Sequence, residues 1–263
     1  MNKNTFGYVD SDYLTAARDL FAPVKQRSYE LMGNIAKKHL LDIGCGPGLD
    51  TVALAELVGK QGRVEGVDYD PAMVQAAVSL TRANHFDDRV RHHVGSAIQL
   101  PFADNRFDAV RSERLFMHLA NAETALAEAV RVTKPGGRVV VVDTDWGSLS
   151  THTGADELER RLVQFRAEEF LANGYSGRRL SGLFSALALQ EINIETVALH
   201  TTDLNLWQLL TQTDQVADIA RTRGVLTEAE FQHWNNALMH SSETGAFFGS
   251  VSVVTVSATV SIG

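Results

Sequence analysis

From residue 39 onward the chain alternates short apolar runs with longer amphipathic stretches. His39-Leu40-Leu41-Asp42-Ile43 is an apolar run that stops in a glycine cluster. Residues 51–58 follow at helical spacing and end at Gly59, suited to the left-handed conformation that closes helices. A second apolar run covers 63–68. Asp70-Pro71 then places a capping acid before a proline at the first helical position, and Val74, Ala77, Val78 and Thr81 mark one face of the helix they open. The same reading predicts strands at 89–94, 107–111 and 138–143, a helix at 121–132, and a turn at Lys134-Pro135-Gly136-Gly137. Regular alternation of strand and helix implies parallel pairing with helices on both faces. Right-handed crossovers then make an α/β, doubly wound sheet.

The flanks have another texture. In residues 1–38, Leu14, Ala17, Leu20 and Phe21 recur at helical spacing, Pro23 is expected to break or restart the helix, and Tyr29, Leu31, Met32 and Ile35 continue it. After Trp146 the alternation is interrupted by helices at 156–171 and 178–187 around a loop at 173–177, before a sixth strand at 191–199. A second interruption, 203–245, contains the capping box Thr227-Glu228-Ala229-Glu230, with Phe231, Trp234, Leu238 and Met239 behind it. A β-rich segment, 247–260, follows. The organisation expected is an N-terminal helical lid at 1–38 and a domain at 39–263. Cap insertions at about 146–176 and 203–245 leave strands 5 and 6 on the ligand side.

Composition narrows the function. A length of 263 residues suits one core domain with additions, and 44% hydrophobic with 21% charged residues excludes a disordered chain. Lys+Arg number 24 against 32 Asp+Glu, a net charge of −8, which is a poor platform for phosphate backbones, so no nucleic-acid partner is expected. The single cysteine allows no intrachain disulfide, and the first 20 residues lack the apolar core of a signal peptide, so a cytoplasmic location is expected. No run of 18 uncharged apolar residues exists, so no membrane span is expected. No histidine pair has zinc-ligand context and Cys45 lacks cysteine partners, so no metal is expected; Cys45 reads as a small packing residue.

The chemistry concentrates in Leu41-Asp42-Ile43-Gly44-Cys45-Gly46-Pro47-Gly48, between a predicted strand and a predicted helix. Alternate glycines let the main chain turn sharply and approach a ligand. Their relative positions are 1, 3 and 5, whereas the dinucleotide pattern uses 1, 3 and 6 to open a helix N-terminus to a pyrophosphate. A ligand without phosphates suits the spacing better. Asp68 ends the second strand 24 residues after Gly44, where a carboxylate can accept both hydroxyls of a ribose. Asp70 reads as the helix cap, and Met73 either lies against an adenine or packs in the core.

These segments, with Gly66-Val67-Asp68-Tyr69-Asp70-Pro71-Ala72-Met73-Val74, residues 95–110 and residues 131–143, occur in a fixed order. The run 39–146 resembles the class I S-adenosylmethionine-dependent methyltransferases, most closely the ubiquinone/menaquinone biosynthesis-like (type 11) small-molecule branch. The resemblance implies a seven-stranded sheet of order 3-2-1-4-5-7-6 with strand 7 antiparallel. It implies S-adenosyl-L-methionine bound across the carboxyl ends of strands 1 and 2, with S-adenosyl-L-homocysteine as product. Gly44, Cys45 and Gly46 would then face the methionine moiety, Asp42 would help hold its ammonium, Asp68 would bind the ribose, and Tyr69 and Met73 would flank the adenine. Where the family usually has Gly-Asp-Ala, this chain has Gly95-Ser96-Ala97, so the Ser96 hydroxyl and the Ala97 backbone would share the contact to the adenine amino group. Ser112 would line the methionine end through its backbone.

His118, in the loop after strand 4, is placed either to act as a general base or to sit as a hydrogen-bonded helix histidine. Trp146 reads as a substrate wall or a packing residue, and Tyr8 and Tyr13 as cap residues touching substrate or as amphipathic packing. Histidines 92 and 93 read as surface or packing residues, and Arg160-Arg161 and Arg178-Arg179 as solvated helix faces. The expectation is methyl transfer by direct displacement onto O, N or C of a small molecule. Methylation of RNA or protein and cofactor binding without catalysis are the alternatives, and assembly as a homodimer is left open.

Overall fold

The computed structural model describes the backbone of residues 11–262 and the side chains from Leu20 onward. Tyr8 and the side chain of Tyr13 lie outside the described residues. Strands β1 His39–Ile43, β2 Arg63–Asp68, β3 Val90–Val94, β4 Phe107–Glu113, β5 Thr133–Thr151, β6 Leu189–Thr201 and β7 Gly249–Val260 form one sheet of order β3-β2-β1-β4-β5-β7-β6. The first five pair in parallel, while β7 runs antiparallel to both β5 and β6. The central strands are largely apolar because helices cover both faces: Leu40 and Val140 pack with Leu54 of α2 (Leu49–Val58), and Leu41 and Val141 pack with Leu126 of α4 (Ala122–Val132). α3 (Pro71–Ala83) carries the crossover from β2 to β3.

Three expected boundaries move. The helix α1 (Ser11–Leu31) runs through Pro23 without a break. Phe21 and Val24, which flank the proline, are buried in one cluster, and Tyr29 and Leu31 in another beyond it, so burial offsets the roughly 3 kcal/mol that an interior proline costs. Strand β5 does not stop at Asp143. Its pairing with β7 runs through Asp145, is interrupted by a bulge, and resumes at Ser150 and Thr151 opposite Ser250 and Gly249. Trp146 therefore sits in the bulged part of a strand and not in a loop beyond it, and the first insertion starts later than its expected position at 146. The helix expected at 156–171 is α5 (Asp156–Phe165) followed by one wide π turn, Arg166–Phe170. Arg166 is buried there and donates to the Thr211 carbonyl at 2.5 Å and to Thr213 Oγ1 at 3.2 Å.

α6 (Ser176–Ser185) crosses back over β5 and β7. The second insertion folds as α7 (Leu204–Thr211), α8 (Thr213–Thr222) and α9 (Glu228–Glu243). The Thr227 capping box forms, with Glu230 N donating to Thr227 Oγ1 at 3.2 Å and Thr227 N to Glu230 Oε2 at 2.8 Å. Trp207, Ala217, Trp234 and Leu238 close this layer over Phe21, Val24, Val142, Val251 and Val253. No helix is long and apolar enough to cross a membrane among the described residues.

Within that layer Trp234 Nε1 donates to Glu159 Oε1 at 2.6 Å, and burial pushes the Glu159 carboxyl from its ordinary 4.5 up to about 7. The folded chain thus holds this proton more tightly than the unfolded chain. Stability is full below about 4.5 and is lost as pH rises through about 7. Glu159→Gln keeps an acceptor for Trp234 and removes the titration. Its melting temperature should exceed the parent's at pH 8.5 and change less between pH 6 and 8.5 in thermal denaturation.

Candidate functional site

The turn leaving β1 is pinned to the end of β2. Gly44 N and Cys45 N both donate to the Val67 carbonyl, at 2.8 and 3.1 Å, and Gly46 N donates to Asp68 Oδ2 at 2.8 Å. The other oxygen of Asp68 accepts from Asp70 N at 2.9 Å, and Asp70 caps α3 by accepting from Ala72 N at 2.8 Å. Gly48 opens α2 at φ +88, and a Cβ there would lie 2.8 Å from Ala77 Cβ, so the left-handed turn and the packing of α2 on α3 both need glycine. At Gly46 a Cβ would meet nothing within 4 Å: this part of the turn faces outward from the carboxyl edge of the sheet. Cys45 is buried, and burial raises its thiol pKa, as its packing role requires.

Beside the half-buried Asp68 carboxylate runs an apolar rim. Tyr69 is 81% exposed, Val94 at the end of β3 54%, and Ile98 38%, with Met73 half-buried nearby in sequence on the first turn of α3. Ser96 Oγ accepts from Ile98 N at 3.4 Å, and Ala97 packs against the core beneath. Val94 and Ile98 escaped the sequence reading, because an apolar strand end looks the same whether it faces a core or a crevice.

Asp42 is not open to the crevice alone. It lies buried beside Arg111 of β4, with Nη1 at 3.2 Å from its Oδ1. The same guanidinium reaches Asp50 at 3.6 Å, pairs with Glu113, and donates through Nε to Ser28 Oγ at 2.8 Å. Lys25 of α1 binds Asp50 at 2.7 Å and Glu113 at 2.8 Å, and Tyr29 donates to Asp50. Burial pushes the Asp42 carboxyl up to about 7 against the pull of Arg111, whereas Arg111 and Lys25 outweigh burial at Asp50 and hold it below the usual carboxylate range. The sequence signal for this network was Arg111-Ser112-Glu113, two charges that follow the apolar Ala109-Val110 in the same strand.

The segment after β4 is clamped from β5. Ser112 Oγ donates to the Ile43 carbonyl at 3.0 Å, so its side chain ties β4 to β1. Arg114 takes a left-handed conformation, φ +52, and Leu115 lies 3.1 Å from where a Cβ of Gly44 would stand. Met117 N donates to Asp143 Oδ2 at 2.7 Å, and Trp146 Nε1 points at Met117 Sδ, 3.0 Å away. Burial pushes Asp143 up to about 7. His118 follows in a single 3-10 turn and is exposed at its edge; desolvation and then Arg114 lower its pKa from the ordinary value. Trp146 is half-buried, with the Arg166 guanidinium 4.6 Å from its ring centroid.

Some residues expected to be merely solvated have partners. Arg178 Nε donates to Asp145 at 2.7 Å, Arg179 to Asn173 at 2.8 Å, and Arg161 to Glu230 at 2.5 Å. His92 meets Thr51 Oγ1 at 2.9 Å, and His93 meets Glu65 at 2.7 Å. No group of three or more metal-ligating side chains occurs among the described residues.

Residues 41–141 match the family model described as Methyltransferase domain. A demethylmenaquinone methyltransferase of Geobacillus stearothermophilus is 38% identical over 117 residues, 44% of this chain and 50% of that protein. The chain spans about half the length, or less, of the first curated relatives it matches. Among solved structures, the YcgJ protein of Bacillus subtilis superposes with a TM-score of 0.64 at 21% identity, covering 94% of this chain and 100% of that one. Geranyl diphosphate C-methyltransferase of Streptomyces coelicolor A3(2), crystallised with S-adenosyl-L-homocysteine, superposes with a TM-score of 0.61 at 21% identity, covering 98% and 87%. Both likenesses speak to the fold, which is the seven-stranded sheet expected above. Over this matched core, from β1 into β5, the chain is similar to the methyltransferase-domain family and to the demethylmenaquinone methyltransferases.

Proposed function

We propose that the chain is an S-adenosyl-L-methionine-dependent methyltransferase acting on a small molecule. The observation that carries this reading is the outward-facing glycine turn hydrogen-bonded to Asp68 beside an exposed apolar rim. A carboxylate next to an apolar face fits an adenosine, in which a ribose diol and a flat base lie side by side. Asp68 would hold the ribose, and Tyr69, Met73, Val94 and Ile98 the adenine faces. Ser96 and the Ala97 backbone would meet the adenine edge. Gly44, Cys45 and Gly46 would border the methionine end through their main chain, with Ser112 opposite and Asp42 below. The cofactor would supply a methyl group on a positively charged sulfur, an activated leaving group.

The chain's own contribution is alignment and exclusion of water. α1, α5, α7, α8 and α9 pack together over Val142 of β5 and Val251 and Val253 of β7, and Asp143 and Trp146 hold the turn that carries His118. A neutral His118 can take a proton from a hydroxyl or amine acceptor. Trp146, Tyr8 and Tyr13 are the proposed substrate contacts. Support for a small acceptor comes from the names of the similar proteins, a demethylmenaquinone and a geranyl diphosphate methyltransferase, and from the net charge of −8, which disfavours RNA.

Isothermal titration with S-adenosyl-L-homocysteine tests the reading; no heat at hundreds of micromolar ligand would overturn it. His118→Gln should lower the turnover of an acceptor that must lose a proton by about 10² or more while leaving S-adenosyl-L-homocysteine affinity unchanged. Equal turnover in the two proteins would remove His118 from the chemistry.

A further inference from the structure

The charge network under the glycine turn is built by four elements distant in sequence. Asp42 precedes the turn on β1, Asp50 follows it in the first turn of α2, Arg111 and Glu113 come from β4, and Lys25, Ser28 and Tyr29 come from α1. One guanidinium, Arg111, touches the acids on both flanks of the turn, Asp42 at 3.2 Å and Asp50 at 3.6 Å. Arg111 is wholly buried, and the side chains of Asp42 and Glu113 are 3% and 4% exposed. Lys25 and Asp50 at the outer end are 19% and 16% exposed, so the network meets solvent there. Arg114 Nε adds a further cation 3.6 Å from Glu113.

Burying Arg111, Asp42 and Glu113 is costly, and a hydrophobic cluster of the same volume would stabilise the fold at least as well. What such a network provides that an apolar core does not is a set of fixed donors and acceptors of both signs. Its open end carries an ammonium and a carboxylate, the complement of a ligand bearing a carboxylate and an ammonium on one carbon. The adenosine face of the crevice, at Asp68 and the apolar rim, lies on the β2–β3 side of the same turn. The two ends of the turn thus offer different chemistry: a diol-and-base site on one side and a zwitterion site on the other.

We infer that Lys25 and Tyr29 of α1, with Arg111, are positioning residues for the amino-acid end of the ligand, so that α1 is part of the binding site and not only a cover. Resting on the proposed function, this inference adds that the chain discriminates by the amino-acid group. Lys25 fixes Asp50 and Glu113, and Tyr29 fixes Asp50; without them Asp50, the more exposed of the two carboxylates, is free to turn to water.

The test compares two ligands on the full chain by isothermal titration: S-adenosyl-L-homocysteine, and 5′-methylthioadenosine, which keeps the adenosyl thioether and lacks the amino-acid end. Lys25→Met and Tyr29→Phe should each weaken S-adenosyl-L-homocysteine by about tenfold and leave 5′-methylthioadenosine within about twofold. Lys25→Arg should recover most of the loss, because it restores the cation. If both ligands weaken together, the network only supports the turn, and the inference is overturned; it is equally overturned if neither weakens. A parent protein that binds neither ligand would sink the proposed function itself, an outcome separate from the other two because there the parent binds.

Discussion

Arg111→Met is expected to destabilise the protein more than any other single change in the site, by about 3–5 kcal/mol, which for a chain of this size is a fall in melting temperature on the order of 10 °C. Methionine fills much of the volume, so the loss comes from charge. Asp42 loses the cation at 3.2 Å, and Glu113 loses one of its partners, while both stay buried. The pH dependence separates this cause from packing. Burial already holds the Asp42 carboxyl at about 7, above its ordinary 3.8, and without Arg111 it must rise further. The folded variant can then exist cheaply only with Asp42 protonated, so the deficit should be small near pH 5.5 and grow as pH rises to 8.5. Adding Asp42→Asn should recover much of the loss at pH 8.5, a coupling that differential scanning calorimetry of the double-mutant cycle would measure. A deficit equal at both pH values would assign the effect to packing.

The second large effect is on binding. If Asp68 holds the ribose as proposed, Asp68→Ala should weaken S-adenosyl-L-homocysteine roughly 10²–10³-fold, because it would remove charge-assisted hydrogen bonds worth about 1.5–3 kcal/mol each. It also leaves Gly46 N without its acceptor at 2.8 Å, so the turn loses one of its ties to β2 and keeps those to the Val67 carbonyl. Asp68→Asn keeps an oxygen for that amide and should fall between the two, which divides turn positioning from ribose recognition. Calorimetric titration of the three proteins reads this directly, and an affinity unchanged in Asp68→Ala would take the residue out of the site.

Several features were legible because they are local. The glycine turn, the Asp70-Pro71 helix start and the Thr227 capping box depend on a few adjacent residues, and each forms where the pattern places it. The alternation of apolar runs predicts the strands for the same reason, since side-chain period and turn chemistry are properties of short segments. The antiparallel seventh strand was a different matter: it followed from the family resemblance, since the β-rich texture of 247–260 carries no direction.

What the pattern missed is long-range. Pro23 argues locally for a break, yet α1 continues because Phe21, Val24 and Tyr29 are buried on either side of it by segments far along the chain. Strand β5 outruns its valine core because β7 supplies partners beyond Asp145. Val94 is set opposite Asp68 only by the pairing of β2 with β3, and its exposed side chain is not foretold by an apolar strand end.

The amino-acid order alone therefore determined the element types, their succession and the turn that carries the candidate site, all of which short-range sterics and hydrophobic period dictate. Only the tertiary structure decided that Lys25, Asp42, Asp50, Arg111 and Glu113 share one buried network, because electrostatic partners separated by up to 88 positions are chosen by the packing of α1 on the sheet and leave no trace in local pattern.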